Sequence, residues 1–366
     1  MHILIVAPEQ IPVPPLLGGS VEISILAIAR QLARSHRVTI VSRAHARYPR
    51  HSVIDGIHIY RVPTGSPAVY LSHVMNFVRG RRFDLVQIDN RPRFVMPLKR
   101  LLKKTPVSLF LHSLTFVGPP YASKAAAAQG LSCADVIIAN SSSLQQQLGA
   151  RFPASAGKIR KVWLGVDTKR FAPGPAARKG RAFRLLFAGR VIPRKGLPVL
   201  LKAVKLAQAE CGQPIHTLVA GSSTRAGYVG RMRSLARKLR VSARFLGTVP
   251  HSRIHRVYRQ ADAFVCPSQK HEAFGLVNVE AMSSGLPVIA SRNGGIKEIV
   301  DNGRNGYLIR DYRRPRAFAK AIVRLVREDR TRRRMARQAR QDCLRRFSWK
   351  VSAKRLSGIY AAKLRR

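Results

Sequence analysis

The chain has 366 residues, of which 67 are Lys or Arg and 17 are Asp or Glu, so its formal net charge is +50. This length exceeds what one hydrophobic core supports, and we therefore expect two domains. The four cysteines are too far apart for a zinc site or a disulfide framework, which favours a reducing cytoplasm, and neither a signal peptide nor a membrane-spanning apolar run is expected.

Apolar strands and amphipathic helices alternate along the first half of the chain. The segment HILIVAP predicts a strand, SVEISILAIARQLARS a helix and RVTIVS the next strand. Further buried strands are predicted for FDLVQID, VSLFLHS and ADVIIANS. This alternation is typical of a parallel α/β architecture, and it predicts a first Rossmann-like domain over residues 1–172.

A stretch rich in proline, glycine and basic residues, FAPGPAARKGRAF, then interrupts the pattern, and we predict a linker at residues 173–183. The alternation restarts with the strand RLLFAGR, the helix GLPVLLKAVKLAQAEC and the strand HTLVAGS, and it continues to the strand PVIASR. We predict a second Rossmann-like domain over residues 184–346, which faces the first across a cleft.

Two connections that follow strands carry residues suited to a phosphate, and ligands of such sheets bind at the carboxyl ends of the strands. Gly18 and Gly19 precede a helix whose N-terminal amides attract anions, although a plain tight turn is the alternative. In FAGRVIPRKG, Gly189, Arg190 and Lys195 lie on a strand-to-helix connection. The two cations suit a diphosphate, and solvated charges of a basic chain are the alternative.

Two carboxylates, Glu272 and Glu280, lie eight positions apart in HEAFGLVNVEAMSSG. Along a helix this spacing is roughly 12 Å, which is longer than the carboxylate pairs of glycoside hydrolases require, so the two are expected to hold different parts of one elongated ligand. The amides of Phe274, Gly275 and Leu276 lie between them, at a predicted helix N-terminus suited to phosphate. A nucleotide sugar fits this description.

The segment EAFGLVNVEAMSSGLPVIAS, followed by GG and EIV, resembles the E-x7-E signature of the family 4 retaining glycosyltransferases, which have the GT-B fold. Other segments resemble this family in the same order along nearly the whole chain: GGSVEISILAIARQLARSHRVTIVS, HS at His112, ANSSSL, GVDTKRF, FAGRVIPRKG and FSW. More narrowly, IPVPPLLGGS, FDLVQIDNRPRFV and SRNGG are similar to the bacterial spore coat glycosyltransferases of the family. The resemblance implies that the segment 347–366 crosses back onto the N-terminal, acceptor-binding domain.

The resemblance also implies the roles of the residues in the donor-binding domain. Glu272 would contact hydroxyl groups of the donor sugar, and Glu280 would contact the ribose hydroxyl groups of the nucleotide. Arg190 and Lys195 would neutralise the diphosphate and stabilise the charge that builds on it as it leaves. The expected donor is a UDP-sugar, with GDP and ADP as alternatives, and no cofactor is expected.

In the N-terminal domain, the resemblance implies that the backbone amides of Gly18 and Gly19 approach the phosphate and that His112 faces the donor sugar near the reacting carbon. A satisfied histidine at a strand end is the alternative for His112. No metal is expected, and the sequence has no Asp-x-Asp motif. Such enzymes are thought to retain configuration by front-face displacement, in which the acceptor hydroxyl attacks on the side that the diphosphate leaves.

Two departures from the family pattern lie in the acceptor-binding domain. Many members carry histidines where this chain has Gln87 and Asp89, and a glycine where it has Ser35. These departures leave the acceptor open among a glycan, a lipid-linked molecule and an anionic polymer. The net charge favours contact with an anionic membrane surface, and solvated surface arginines without a role are the alternative. The enzyme is expected in the cytoplasm, either at the inner face of the membrane or associated with the spore coat.

Two other classes of function are consistent with the composition. The first is a structural spore coat protein that keeps the fold and has lost catalysis, against which the intact Glu272, Glu280, Arg190 and Lys195 argue. The second is a nonspecific binder of polyanions, which the charge permits. No helix-turn-helix, aromatic platform or zinc finger is recognisable, so a specific nucleic-acid partner is not expected.

Overall fold

The computed structural model describes residues 1–175 and 182–365 of the chain. The chain divides into two compact units. The first unit contains Met1–Gly165 and Trp349–Arg366, and the second unit contains Val166–Ser348. Each unit is built on one largely parallel sheet connected by helices, which confirms the predicted α/β class with two Rossmann-like domains. Among the described residues, no helix is both long enough and apolar enough to cross a bilayer.

The described part of the first unit contains one sheet of eight strands, all paired in parallel except for one antiparallel hairpin. The strands are β1 His2–Val6, β2 Arg37–Arg43, β3 His51–Ile54, β4 Ile57–Val62, β5 Leu85–Asp89, β6 Val107–Leu111, β7 Val136–Ala139 and β8 Ile159–Lys161. Their order across the sheet is β3-β4-β2-β1-β5-β6-β7-β8. The inner strands β5 and β6 are buried at every residue, because apolar side chains are covered on both faces of a parallel sheet.

The helices before residue 165 begin at recognisable signals. They are α1 Ser20–Leu32, α2 Pro67–Val78, α3 Pro92–Leu101, α4 Lys124–Cys133 and α5 Ser142–Arg151. Serine side chains cap three of these helices: Ser66, Ser123 and Ser141 accept hydrogen bonds from backbone amides at the starts of α2, α4 and α5. Each cap satisfies one amide that the helix cannot pair internally.

The hairpin β3–β4 was not predicted from the sequence. Its turn is Asp55-Gly56, and both residues have a positive φ, 51° and 76°. An Asp-Gly pair with this conformation is typical of a two-residue hairpin turn, because its backbone twist matches that of the flanking strands. The dipeptide was a usable signal, but the exposed and half-buried side chains of β3 lack the apolar run that marks the other strands.

The second unit contains a sheet of six parallel strands in its described part. The strands are β9 Phe183–Ala188, β10 Ile215–Ala220, β11 Ala243–Gly247, β12 Ala263–Cys266, β13 Val288–Ser291 and β14 Gly306–Ile309, in the order β11-β10-β9-β12-β13-β14. The helices are α6 Leu197–Cys211, α7 Tyr228–Lys238, α8 His251–Tyr258, α9 Leu276–Ser283, α10 Pro315–Arg327 and α11 Asp329–Arg346. Helices α6 and α10 pack against each other, and their apolar faces join the core of this unit.

The last helix, α12 Trp349–Leu364, belongs to the first unit, where it packs against α1. The His36 ring nitrogen Nε2 lies 2.8 Å from the Ser357 hydroxyl. The Tyr360 hydroxyl, buried on the same helix, donates to Gln87 Oε1 at 2.7 Å.

The chain passes from the first unit to the second at Gly165–Val166, earlier than the boundary at residue 172 that composition predicts. The Val166 amide donates to the Phe347 carbonyl oxygen at 2.8 Å. Phe171 is buried against the rings of His251 and Tyr258, so the residues before the Pro/Gly stretch are held by the core of the second unit. Part of the predicted linker, residues 176–181, lies outside the described residues.

Candidate active site

The loops that follow β9 and β12 lie side by side, because these strands are neighbours and run in the same direction. The backbone amide of Gln269 donates to the Arg194 carbonyl oxygen at 2.7 Å. Gly196 has φ 76°, and a Cβ atom there would overlap the Pro267 carbonyl oxygen. Only glycine allows the backbone to approach so closely in this conformation, and the approach brings Lys195 to the loop that carries Glu272.

Lys195 and Glu272 form a short ion pair, and the Ser268 hydroxyl donates to the same carboxylate oxygen, Oε2, at 3.2 Å. The Lys195 side chain is 18% exposed and that of Glu272 is 21% exposed. Burial alone would raise the pKa of Glu272, but Lys195, Arg194 and Ser268 outweigh burial and hold that pKa below its ordinary value. Glu272 is therefore an ionised group in a partly shielded position.

Asn293, which follows β13, holds the backbone around Glu272. Its Oδ1 accepts from the Glu272 amide at 3.1 Å, and its Nδ2 donates to the carbonyl oxygens of Ser268 and Lys270 at 2.9 and 3.1 Å. The Gly295 amide donates to the Glu272 carbonyl oxygen at 2.8 Å. Asn293 was not among the residues predicted from the sequence, although its position directly after a predicted strand was a signal.

Glu280 lies on α9, and a donor reaches each of its carboxylate oxygens. The His251 Nε2 lies 2.9 Å from Oε1, and the Tyr258 hydroxyl donates to Oε2 at 2.9 Å. Arg170 Nη2 lies 3.2 Å from His251 Nδ1. Because a guanidinium group only donates, His251 Nδ1 must accept. The ring proton is therefore on Nε2, which donates a hydrogen bond to Glu280. Burial and the nearby Glu280 raise the pKa of Tyr258 well above its ordinary value, so Tyr258 stays a donor.

The N-terminus of α9 lies between the two glutamates in sequence. Gly275 precedes the helix with φ 95°, Leu276 is its first residue, and Phe274 is buried against the ring of Phe347. The predicted helix start near Gly275 is confirmed. Backbone amides at such a terminus have no partner inside the helix and attract anions.

Gly189 and Arg190 follow β9 directly. Gly189 has φ 136°, and its amide donates to the Ala220 carbonyl oxygen at 2.9 Å. Arg190 is exposed on the same loop as Lys195. The second unit thus brings Lys195 and Glu272 into direct contact, and it places Glu280 in a separate hydrogen-bonded group.

His112 follows β6 in the first unit, and its side chain is 6% exposed. Its Nε2 lies 2.8 Å from Asp89 Oδ1, and Gln87 Nε2 donates to Asp89 Oδ2 at 2.6 Å. The backbone of His112 is held on both sides: its amide donates to Asn90 Oδ1 at 2.8 Å, and its carbonyl oxygen accepts from Asn140 Nδ2 at 3.1 Å. The strand-end histidine is therefore tied into a buried polar cluster.

The glycine pair lies at the start of α1 in the first unit. Gly19 precedes the helix with φ 145°, and a Cβ atom there would lie 2.5 Å from Glu22 Oε2, whereas nothing lies within 4 Å of that position at Gly18. Glu22 is buried, and burial raises its pKa to about 7, with Asp89 adding to the effect. The helix N-terminus thus already faces a carboxyl group of its own chain, and this contact was not predicted from the sequence.

Across residues 1–175 and 182–365, no three His, Cys, Asp or Glu side chains are grouped so that they could hold a metal ion.

Two parallel-sheet α/β units define the class of fold as GT-B. The profile of the group 1 glycosyl transferases matches residues 169–342, and that of Glycosyltransferase Family 4 matches residues 18–170. Spore coat protein SA of Bacillus subtilis (strain 168) is 30% identical over 380 aligned residues, which span 98% of this chain and 99% of that protein. The chain therefore belongs to the glycosyltransferase family that these two profiles describe.

Solved structures agree on the fold. Sucrose-phosphate synthase from Thermosynechococcus elongatus superposes with a TM-score of 0.83 over 99% of both chains, at 21% identity. Anabaena HepE in complex with UDP-glucose superposes with a TM-score of 0.79, at 19% identity, over 99% of this chain and 100% of that one. At these identities the likeness shows the GT-B fold.

Proposed function

We propose that this glycosyltransferase transfers a sugar from a nucleotide-diphosphate donor, a UDP-sugar, with retention of configuration and without a metal ion. The observation that carries the proposal is the pairing of Lys195 with Glu272 beside the loop that enters α9. The complex of the similar Anabaena protein with UDP-glucose supports the choice of donor.

The contacts of Glu272 leave one of its oxygens available for a sugar. Lys195 and Ser268 both act on Oε2, and within the described residues no donor reaches Oε1. Oε1 would accept a hydrogen bond from a hydroxyl group of the donor sugar. The Lys195 ammonium group has three donors, so it would hold Glu272 and a phosphate oxygen at the same time.

Glu280 would bind the ribose of the nucleotide. A carboxylate accepts about four hydrogen bonds, and Glu280 receives one from His251 and one from Tyr258, so capacity remains for two ribose hydroxyl groups. Arg190 and the amides of Gly275 and Leu276 would add positive potential around the diphosphate.

In the proposed reaction, the acceptor oxygen forms a bond to the anomeric carbon while the bond from that carbon to the diphosphate oxygen breaks. The attack takes place on the face that the diphosphate leaves, so configuration is retained. The proton of the acceptor hydroxyl passes to the leaving phosphate oxygen, and Lys195 and Arg190 stabilise the developing charge. We include His112 among the residues that transfer requires.

The proposed acceptor is a glycan, a lipid-linked molecule or an anionic polymer of the cell envelope or spore surface. The name of the similar Bacillus subtilis protein supports the spore surface, and the net charge of +50 supports an anionic acceptor or an anionic membrane face. Binding to phosphatidylglycerol vesicles that moderate salt abolishes is expected. Equal binding to phosphatidylcholine vesicles would argue against the membrane.

Calorimetric titration with UDP, GDP and ADP tests the donor site. We expect micromolar binding of one nucleotide, in the presence or absence of EDTA, and weaker binding to Lys195→Ala and Glu280→Ala. Lys202→Ala, an exposed lysine on α6, is the matched control and should bind as the parent does. If no nucleotide binds, or if all variants bind equally, the proposed donor site is wrong. A structural spore coat protein that has lost catalysis then becomes the better hypothesis.

A further inference from the structure

Four side chains form one hydrogen-bonded chain through the interior of the first unit. The Tyr360 hydroxyl donates to Gln87 Oε1 at 2.7 Å, Gln87 Nε2 donates to Asp89 Oδ2 at 2.6 Å, and Asp89 Oδ1 lies 2.8 Å from His112 Nε2. Tyr360 is fully buried, and Gln87 and Asp89 are each 1% exposed. We call these four residues the relay.

The direction of every bond in the relay is determined by chemistry. The Asp89 carboxylate accepts from the Gln87 amide nitrogen, so the Gln87 amide oxygen faces Tyr360 and accepts from its hydroxyl. A carboxylate only accepts, so the His112 nitrogen that faces Asp89 must carry a proton. The hydrogen bond at one ring nitrogen of a histidine decides which tautomer is present, so Asp89 selects the tautomer in which His112 Nδ1 is the acceptor.

The surroundings of His112 also restrict the orientation of its ring. The ring stacks on that of Phe110 with centroids 4.5 Å apart and an interplanar angle of 12°. Asn90 and Asn140 hold the backbone on either side. With Nε2 bound to Asp89, rotation of the ring would break a buried hydrogen bond, which makes the relay the main control on where Nδ1 points.

We infer that Asp89 is a positioning residue for His112, and that Tyr360 on the C-terminal helix anchors Asp89 through Gln87. The inference rests on the proposed role of His112 in transfer. Gln87 and Asp89, which depart from the family pattern, were expected to affect the choice of acceptor. In the structure, their side-chain polar atoms form the hydrogen bonds of the relay. We therefore expect them to act through His112.

Asp89→Asn tests the tautomer directly. The new amide would present its nitrogen to His112 Nε2 and its oxygen to Gln87, so Nε2 would become the acceptor and the proton would move to Nδ1. We expect ¹⁵N spectra, recorded where imidazole is ordinarily neutral, to show His112 protonated at Nε2 in the parent and at Nδ1 in this variant. A purely structural role for Asp89 would not move the proton.

Steady-state kinetics test the consequence. We expect kcat of Asp89→Asn to fall by at least about 100-fold, while KM for the donor and nucleotide affinity stay unchanged. Tyr360→Phe, which keeps the ring and removes one donor, should lower kcat about 5-fold and should stay folded. Ser357→Ala on the same helix contacts His36 and lies outside the relay, so it should behave as the parent.

Several outcomes would overturn the inference. They are the parental tautomer in Asp89→Asn, a kcat of Tyr360→Phe no lower than that of Ser357→Ala, or full transfer by His112→Ala. The last result would leave the donor-site proposal standing. If the parent protein transfers no sugar, the proposed function fails, and the ¹⁵N spectra still decide whether Asp89 sets the tautomer of His112.

Discussion

Replacement of Lys195 by methionine tests whether its charge is what keeps Glu272 ionised. In the parent, burial works to raise the pKa of Glu272, and Lys195 makes the largest opposing contribution. Breaking a fully buried ion pair costs about 3 to 5 kcal/mol. Because the Lys195 and Glu272 side chains are 18% and 21% exposed, we expect a smaller loss, about 2 kcal/mol in the free energy of unfolding at neutral pH.

The dependence of this loss on pH has a definite sign. In the parent, the folded-state pKa of Glu272 lies below the unfolded value near 4.5, so ionisation stabilises the fold above that pH, and the contribution is lost as pH falls through the folded pKa. In Lys195→Met, Arg194 and Ser268 remain but the largest contribution that opposes burial is gone. We therefore expect the folded-state pKa of Glu272 to rise, so that its ionisation stabilises the fold less at neutral pH. Protonation removes both effects, and the difference between the two proteins should shrink in acid.

Urea unfolding of both proteins at about pH 7, 5 and 4 measures this difference. Lys202→Met, at an exposed position on α6, controls for the loss of one positive charge from a very basic chain. We expect Lys202→Met to stay within about 0.5 kcal/mol of the parent at every pH. A difference for Lys195→Met that does not change with pH, or that grows in acid, would refute the electrostatic explanation.

Three further predictions concern other parts of the two units. Gly196→Ala should lower the free energy of unfolding by at least about 3 kcal/mol, because a Cβ atom there overlaps a backbone carbonyl oxygen. Gly212→Ala, with φ 66° in open space, should cost only about 1 kcal/mol in the same assay, and equal losses would contradict the steric argument. Tyr258→Phe should weaken nucleotide binding about 5-fold by calorimetry, and the effect should vanish for a 2′,3′-dideoxynucleotide that offers Glu280 no ribose hydroxyl groups. Burial raises the folded-state pKa of Glu22 to about 7, compared with an ordinary value of 4.5. Between these two pH values Glu22 is ionised in the unfolded chain but neutral in the folded protein. The free energy of unfolding therefore falls as pH rises through this range, by about 3 kcal/mol in all. In urea unfolding, the free energy of unfolding of Glu22→Gln should therefore increase relative to that of the parent between pH 5 and pH 8. If the difference between the two proteins does not change with pH, the Glu22 carboxyl group is not held neutral.

The local arrangement of Glu272, α9 and Glu280 could largely be predicted because these residues are close together in sequence. Glu272, the N-terminus of α9 and Glu280 lie on one loop and one helix, and a helix start can be recognised locally. The partners of Glu280 come from α8, a separate segment. Nothing local in HSRIHRVY indicates that His251 and Tyr258 face one carboxylate.

By itself, the sequence determined the class of fold, because the alternation of buried strands and amphipathic helices is a local pattern that repeats along the chain. It also determined the family, through motifs that are each contiguous. The tertiary structure alone decided which side chains meet. The contact of Tyr360 with Gln87 joins residues 273 positions apart, and it exists because α12 packs in the first unit while the second unit separates them in sequence. Burial makes these contacts energetically important, because a polar group removed from water must find a hydrogen-bond partner inside the protein.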